Sequence, residues 1–182
     1  MISKKVTLLS AAVGAAFVGV FSLSAPAHAA DGTITFNGKV TAATCTVQAG
    51  KGDLTVQMPT VSVSAFKADG DVAGSKPFTI SFSGCTGDAS TVKVGFESGA
   101  NVDPVTGRLK LNGADAAKNL QLGLYNGDSS KITIGDSATV KGVSLASGSG
   151  TVLYMAKYVQ TGATAVKAGN ANTSVTYSLI YE

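Results

Sequence analysis

Apolar and polar residues alternate along most of the chain after its first thirty residues. In the stretch DGTITFNGKV, Ile34, Phe36 and Val40 fall on one parity and polar side chains fall on the other. Alternation of this kind predicts a β-strand with one buried face. Similar segments follow as DLTVQMP (53–59), PFTISFSGC (77–85), TVKVGFE (91–97), GRLKLNG (107–113), NLQLGLYNG (119–127), GTVLYMAKYVQTG (150–162) and NTSVTYSLIYE (172–182).

The segments between these predicted strands are rich in Gly, Asn, Asp and Ser, which are turn-forming residues. Only GADAAKN (113–119) could form a turn of helix. No linker or internal repeat divides the chain after the first thirty residues. The pattern therefore predicts one all-β domain from about Ala30 to Glu182, built as an antiparallel sandwich or barrel.

The N-terminal segment has the layout of a secretory signal peptide. Lys4 and Lys5 precede an apolar run, and Ala27-His28-Ala29 provides small residues for cleavage. We predict that residues 1–29 are removed, with cleavage between Ala29 and Ala30. A transmembrane anchor over residues 6–23 is the alternative. It is disfavoured because polar residues interrupt the run and a cleavage signal follows at once.

Charge excludes several kinds of partner. Two of the fourteen basic residues leave with the signal peptide, so the remainder nearly balance the eleven acidic residues. No long basic or acidic run remains, which makes nucleic acid and anionic membranes poor candidates as partners.

The residues available for catalysis are few. His28 is the only histidine, and the two cysteines, Cys45 and Cys85, are expected to form a disulfide in an exported protein. A Ser-His-Asp or Cys-His site and the usual zinc sites are therefore excluded. We expect no enzymatic activity, no small-molecule substrate, no cofactor and no metal.

Weaker chemical candidates have simpler explanations. Asp69 and Asp71 could bind calcium, but Ile80 stands where a helix-loop-helix calcium loop needs its closing Glu, so a solvated turn is favoured. Glu97 and Asp103 could form an acid pair, although the residues between them indicate a loop. The glycine-rich residues 147–151 indicate a hairpin turn. The sequon 172–174 lies inside a predicted strand.

Both ends of the remaining chain are amphipathic strands, which must be paired, covered or left open to another molecule. GTITFNGKVTAATCTV, a second cysteine in ISFSGC and the closing SVTYSLIYE together resemble the pilin subunits of chaperone-usher fimbriae, especially the major structural subunit of the type 1 class. The resemblance covers the whole chain. It implies an incomplete immunoglobulin-like β-sandwich, the pilin fold, completed by a donor strand from a neighbouring subunit.

The resemblance assigns roles to the two cysteines and to residues near the C-terminus. Cys45 and Cys85 match the pair that ties the first strand to the second in this family. Gly169 matches a glycine fourteenth from the end. The family's final strand is an edge to which a periplasmic chaperone pairs. Its alternating positions match Val175, Tyr177, Leu179 and Tyr181.

The resemblance also divides the chain into residues 30–40, the donor-strand extension, and 41–182, the pilin domain. The extension is expected to fill the groove of the next copy, with Ile34, Phe36 and Val40 as its apolar positions. Either Gly32 or Gly38 occupies the narrow point of that groove. The implied partners are other copies of the chain, the chaperone, an outer-membrane usher, and minor and tip subunits. The implied location is a fimbria on the bacterial surface, reached through the periplasm.

Three alternatives remain. Residues 33–40 could be the first strand of a self-contained sandwich. The chain could be a minor adaptor or tip subunit of the same kind of fimbria. A secreted all-β carbohydrate-binding or enzymatic domain is disfavoured because the chain has no tryptophan and no acidic or histidine cluster.

Overall fold

The computed structural model describes residues 34–47 and 52–182. The predicted signal peptide, its cleavage site at Ala29 and Ala30, and Gly32 all lie outside the described residues. No helix in the described part of the chain is long and apolar enough to cross a membrane.

The chain divides into two units, residues 1–38 and residues 39–182. The described part of the first unit, residues 34–38, forms no regular secondary structure. Ile34 is 79% exposed and Phe36 is 89% exposed, so these large apolar side chains face solvent.

The second unit is built from β-strands, and no α-helix occurs among the described residues. The strands are β1 (Thr44–Val47), β2 (Val72–Thr86), β3 (Thr91–Phe96), β4 (Val102–Asp103), β5 (Arg108–Lys110), β6 (Leu120–Asn126), β7 (Lys131–Ile132), β8 (Val143–Ser144), β9 (Gly150–Gln160) and β10 (Tyr177–Tyr181). Two 3-10 turns, Val63–Ala65 and Ser137–Thr139, complete the regular structure.

The strands form two antiparallel sheets. The large sheet has the order β1-β2-β9-β6-β5-β4, with β7 also paired to β6, and the small sheet has the order β10-β3-β8. Their inner faces share one core, in which the rings of Phe96 in β3 and Tyr154 in β9 meet edge to face at 5.3 Å. The prediction of an all-β sandwich is confirmed.

Several predicted elements differ from the structure. Residues 53–59 and residues 34–40 pair with no described strand, and 172–176 precede β10 instead of belonging to it. A strand needs a partner to supply its ladder of hydrogen bonds, and alternation alone does not provide one. Residues 113–119 form turns and two isolated bridges to the segment 167–170, not a helical turn.

The predicted disulfide is present and joins Cys45 of β1 to Cys85 of β2. β1 is only four residues long and lies at an edge of the large sheet. The covalent bond therefore fixes a short edge strand to the fifteen-residue β2. The glycine-rich residues 147–151 contain a tight turn, as predicted, with Ser147 and Gly148 both at positive φ.

Candidate functional site

A long open groove of about 1510 Å³ runs along one side of the second unit. That volume exceeds the range of roughly 300–1,000 Å³ typical of sites for small molecules. One wall is the unpaired segment 52–61, and the other is formed by residues 166–179 together with Tyr181 of β10. The shape suits an extended polymer better than a compact ligand.

The floor of the groove is the hydrophobic core itself, because none of the described strands covers the core there. The floor residues come from both sheets and are Phe78, Ile80, Phe96, Leu109, Ala117, Leu120, Leu122, Leu124, Ala156 and Tyr158. On the wall opposite β10, Val56 and Met58 are half-buried, whereas Leu54 is 41% exposed. The alternation of residues 53–59 therefore gives this wall an apolar edge, although these residues form no strand.

The side of β10 that faces away from β3 has no partner among the described strands. Glu182 and Thr91 exchange two backbone hydrogen bonds, of 2.9 and 3.0 Å, and the Glu97 N–H donates to the Thr176 carbonyl. In an antiparallel pair such bonds alternate along the strand, so even-numbered residues bind β3. The backbone groups of the odd-numbered residues, including Leu179, consequently point away from β3.

The side chains of the odd-numbered residues pack against the core. They are Val175, Tyr177, Leu179 and Tyr181, which are the four positions singled out in the sequence. The structure thus brings these four residues together in one row along the groove, where their free backbone edge and their apolar side chains coincide.

Two of these side chains reach the opposite side of the sandwich. The hydroxyl of Tyr181 accepts a hydrogen bond from the Cys45 N–H at 3.0 Å, and the hydroxyl of Tyr177 donates to the Gly52 carbonyl. Burial raises the pKa of Tyr177, and the negative charge of Asp53 raises it further. The tyrosines therefore hold the β10 side of the groove to β1 and to the start of the unpaired wall.

Gly169 lies on the groove wall at a point of very close backbone approach. A Cβ atom at this position would lie 2.5 Å from both the Ala117 nitrogen and the Asp115 oxygen. Any side chain would displace the segment 167–170 and break the β-bridges between this segment and residues 116–118. The glycine identified in the sequence is thus required by packing.

The remaining candidates from the sequence have structural partners. Asp71 accepts hydrogen bonds from the Lys67 and Ala68 N–H groups, which lower its pKa, and Asp69 accepts from the Gly162 N–H. Glu97 accepts from the Ser178 hydroxyl. These carboxylates therefore support turns and strand ends.

Sequence reasoning did not identify the segment 52–61 as a groove wall or the two tyrosine bridges. A signal for the bridges does exist, since a tyrosine on a buried face needs a partner for its hydroxyl. The sequence does not say which atom provides that partner.

Comparison with known proteins agrees with this architecture. The family model for fimbrial proteins matches residues 34–182. The F17 fimbrial protein of Escherichia coli is 39% identical over 160 residues, covering 84% of this chain and 88% of that protein. The major fimbrial subunit SMF-1 of Stenotrophomonas maltophilia is 41% identical over 169 residues, covering 85% and 95%.

Solved structures share the fold at low identity. The P pilus rod subunit PapA matches with a TM-score of 0.60 and 20% identity, covering 76% of this chain and 99% of that one. A chain from a chaperone-usher pilus matches with a TM-score of 0.58 and 20% identity, covering 84% and 96%. Together with the family match and the two relatives, the architecture establishes that this chain belongs to the fimbrial protein family and is a structural subunit of a bacterial surface fimbria.

Proposed function

We propose that this chain builds the fimbria by donating residues 30–40 to the groove of the next copy. The observation that carries the proposal is the unpaired edge of β10 beside an uncovered core. A strand placed there would satisfy the free backbone groups and cover the floor. Addition of a strand to an exposed sheet edge is a known mode of recognition, used for instance in chaperone-pilin donor-strand complementation.

The extension and the groove match in length and pattern. Residues 34–40 offer four alternate positions, three of them apolar and one a glycine, and the row from Val175 to Tyr181 also has four. Val40 is 98% exposed in the second unit, so it has apolar surface to bury. Burial of Ile34, Phe36 and Val40 should contribute about 1.5–3 kcal/mol for each side chain.

Donation from each copy to the next is a head-to-tail contact that does not close on itself. Repetition of such a contact generates a filament. The role is structural and involves no enzymatic step. Because the relative SMF-1 is itself named a major fimbrial subunit, we favour a repeated shaft subunit over a minor adaptor or tip subunit. The amount of this chain relative to other subunits in purified fimbriae distinguishes these roles.

Substitution of Phe36 tests the donor-strand mechanism. Phe36→Asp should abolish fimbriae seen by electron microscopy and leave the disulfide intact, because a carboxylate cannot enter the apolar groove without a large desolvation cost. Thr35→Asp, on the opposite parity, is the matched control and should assemble. Wild-type fimbriae from Phe36→Asp would overturn the donor assignment.

We further propose that a periplasmic chaperone covers the edge of β10 until an outer-membrane usher passes the subunit into the fimbria. An open edge beside exposed core would otherwise favour aggregation. Deletion of Tyr181 and Glu182 should prevent accumulation in the periplasm, whereas Glu182→Gln, which removes only the ion pair with Lys93, should not. Normal levels of the deletion variant would contradict the chaperone assignment.

A further inference from the structure

A second surface lies on the outward face of the large sheet, where β5, β6, β7 and β9 run side by side. It consists of Arg108, Lys110, Lys131 and Lys157, here called the cationic face. The sequence neighbours Leu109, Ile132 and Ala156 are buried in the core. Because successive side chains of a strand point to opposite faces, the four basic side chains lie on the outer side.

Tyr125 of β6 lies at the middle of the cationic face. It is the cross-strand partner of Lys131, and Gly123 is the partner of Lys157. The Lys157 ammonium lies 4.5 Å from the centre of the Tyr125 ring. A Cβ atom on Gly123 would lie 3.0 Å from a carbon of that ring, so the ring leans over the glycine. One tyrosine is therefore flanked by basic residues on both sides.

One nearby carboxylate offsets part of this charge, because Asp103 of β4 is the cross-strand partner of Arg108. Asp103 accepts hydrogen bonds from the Val105 and Thr106 N–H groups and from the Gln121 side chain. The hydrogen bond from Val105 lowers its pKa most, and the positive charge of Lys110 lowers it further. Asp128 accepts from Ser130 and forms an ion pair with Lys141. The ion pairs within the described residues involve Lys93 and Lys141, and none involves the cationic face.

The basic groups of this face also disfavour one another's charged form. Desolvation lowers the pKa of Lys131, and the positive charge of Arg108 lowers it further. The Arg108 Nε is buried and makes no hydrogen bond within the described structure. The Lys131 ammonium donates to the Thr106 carbonyl at 2.8 Å and forms no ion pair with any carboxylate in the described part of the chain. Four basic residues outnumber the single carboxylate of Asp103, so an anion from another molecule would supply further counter-charge.

We propose that the cationic face binds a sulfated polysaccharide. Sulfate groups spaced along a flexible chain can meet Arg108, Lys131 and Lys157 in turn across an open sheet surface. Single contacts of this kind are weak, but a fimbria repeats the face at every copy, so binding is multivalent. Nucleic acid is a poorer match because the one aromatic ring leans over Gly123 and lies beside Lys157, and so offers no stacking platform for bases.

The inference depends on membership of the fimbrial family and does not depend on the donor-strand mechanism. The sequence did not indicate the cationic face, because the chain contains no run of basic residues. The fold assembles the face from three separate strands, which is why a nearly balanced charge still leaves four basic residues on one surface.

Binding of purified fimbriae to immobilised dextran sulfate tests the proposal, with uncharged dextran as the blank. The triple variant Arg108→Gln, Lys131→Gln, Lys157→Gln should bind about tenfold more weakly at roughly 0.15 M salt. The matched control is Lys67→Gln, Lys76→Gln, Lys118→Gln, which removes the same charge from exposed positions elsewhere and should bind within about twofold of wild type. If the triple variant yields no fimbriae, the double variant Lys131→Gln, Lys157→Gln replaces it.

Loss of binding confined to the cationic-face variant supports the proposal. Three results would overturn it: wild-type fimbriae that do not bind dextran sulfate, an equal loss in the control variant, or competition by duplex DNA as effective as competition by soluble dextran sulfate. Assembly of all variants is checked by electron microscopy, so a failure of polymerisation is seen separately from a failure of binding.

Discussion

The hydroxyl of Tyr181 accepts a hydrogen bond from the backbone N–H of Cys45, although the two residues are 136 positions apart. The next-to-last residue of the chain is thereby attached to the disulfide-bonded β1. Tyr181→Phe leaves the Cys45 N–H without its partner and should lower the free energy of unfolding by about 1 kcal/mol. Urea unfolding of the subunit complemented with a peptide of residues 30–40 measures this loss.

Tyr125→Phe is the matched control for that experiment, since it changes a tyrosine on the outer face of the large sheet. Its unfolding midpoint should stay close to that of the wild type. Equal losses in the two variants would show that the hydrogen bond from the Cys45 N–H makes no specific contribution to the free energy of unfolding.

The two candidate glycines of the extension can be distinguished by substitution. Gly38 lies between Phe36 and Val40, so Gly38→Leu would force neighbouring apolar side chains out of the groove and should abolish fimbriae. Gly32 lies at the N-terminal end of the pattern, where a leucine can remain outside, so Gly32→Leu should assemble. Fimbrial yield measures both, and the reverse result would place Gly32 at the narrow point.

Gly169→Ala should destabilise the subunit by at least about 1–3 kcal/mol, the usual cost of overpacking. The added methyl would lie 2.5 Å from backbone atoms of Asp115 and Ala117, which cannot move as easily as a side chain. Gly99→Ala is the control, because a Cβ there meets nothing within 4 Å. Thermal unfolding of the peptide-complemented subunit compares the two variants, and similar midpoints would contradict this account.

Removal of the disulfide should have a large effect. Its residues are 40 positions apart, and closing a loop of that length restricts the unfolded chain by about 4 kcal/mol in the chain-entropy model. Cys45→Ser, Cys85→Ser should therefore unfold at much lower urea concentration than the wild type. A midpoint unchanged by the double substitution, measured under oxidising conditions, would contradict this expectation.

Alkaline pH should weaken the fold through Tyr154. Burial raises the pKa of this phenol from 10.0 to about 12. A raised folded-state pKa means that the stabilisation is fully present below about pH 10, the unfolded value, and is lost as the pH rises through 12. Tyr154→Phe removes the hydrogen bond to the Lys141 carbonyl and lowers stability at neutral pH. Its stability should nevertheless fall less between pH 10 and 12 than that of the wild type, as followed by circular dichroism.

The alternation of apolar residues was sufficient to predict the longer strands that pair within the chain, but not the two-residue strands β4, β7 and β8. β3, β6 and β9 lie within predicted segments because each has neighbours that satisfy its backbone. Residues 34–40 and 53–59 have the same alternation but pair with none of the described strands, and the pattern alone does not distinguish these cases. The cysteines gave the disulfide, since only two were available in an exported protein.

The groove and the cationic face could not be predicted in the same way. The bridge from Tyr177 to Gly52 depends on where β10 lies relative to a segment 125 positions earlier. The cationic face depends on the registers that bring β5, β7 and β9 beside β6. Both are products of long-range packing, for which local sequence carries no signal.

The position of the disulfide has a mechanical consequence for a filament joined through its N-terminal segments. Tension would enter each copy through residues 39–43 and reach Cys45 almost immediately. Because Cys45 is covalently bound to Cys85, the pull would not peel the four-residue β1 from its neighbour but would pass into β2. β2 is paired with β9 over much of its length, so the load would be shared by many hydrogen bonds strained together in shear.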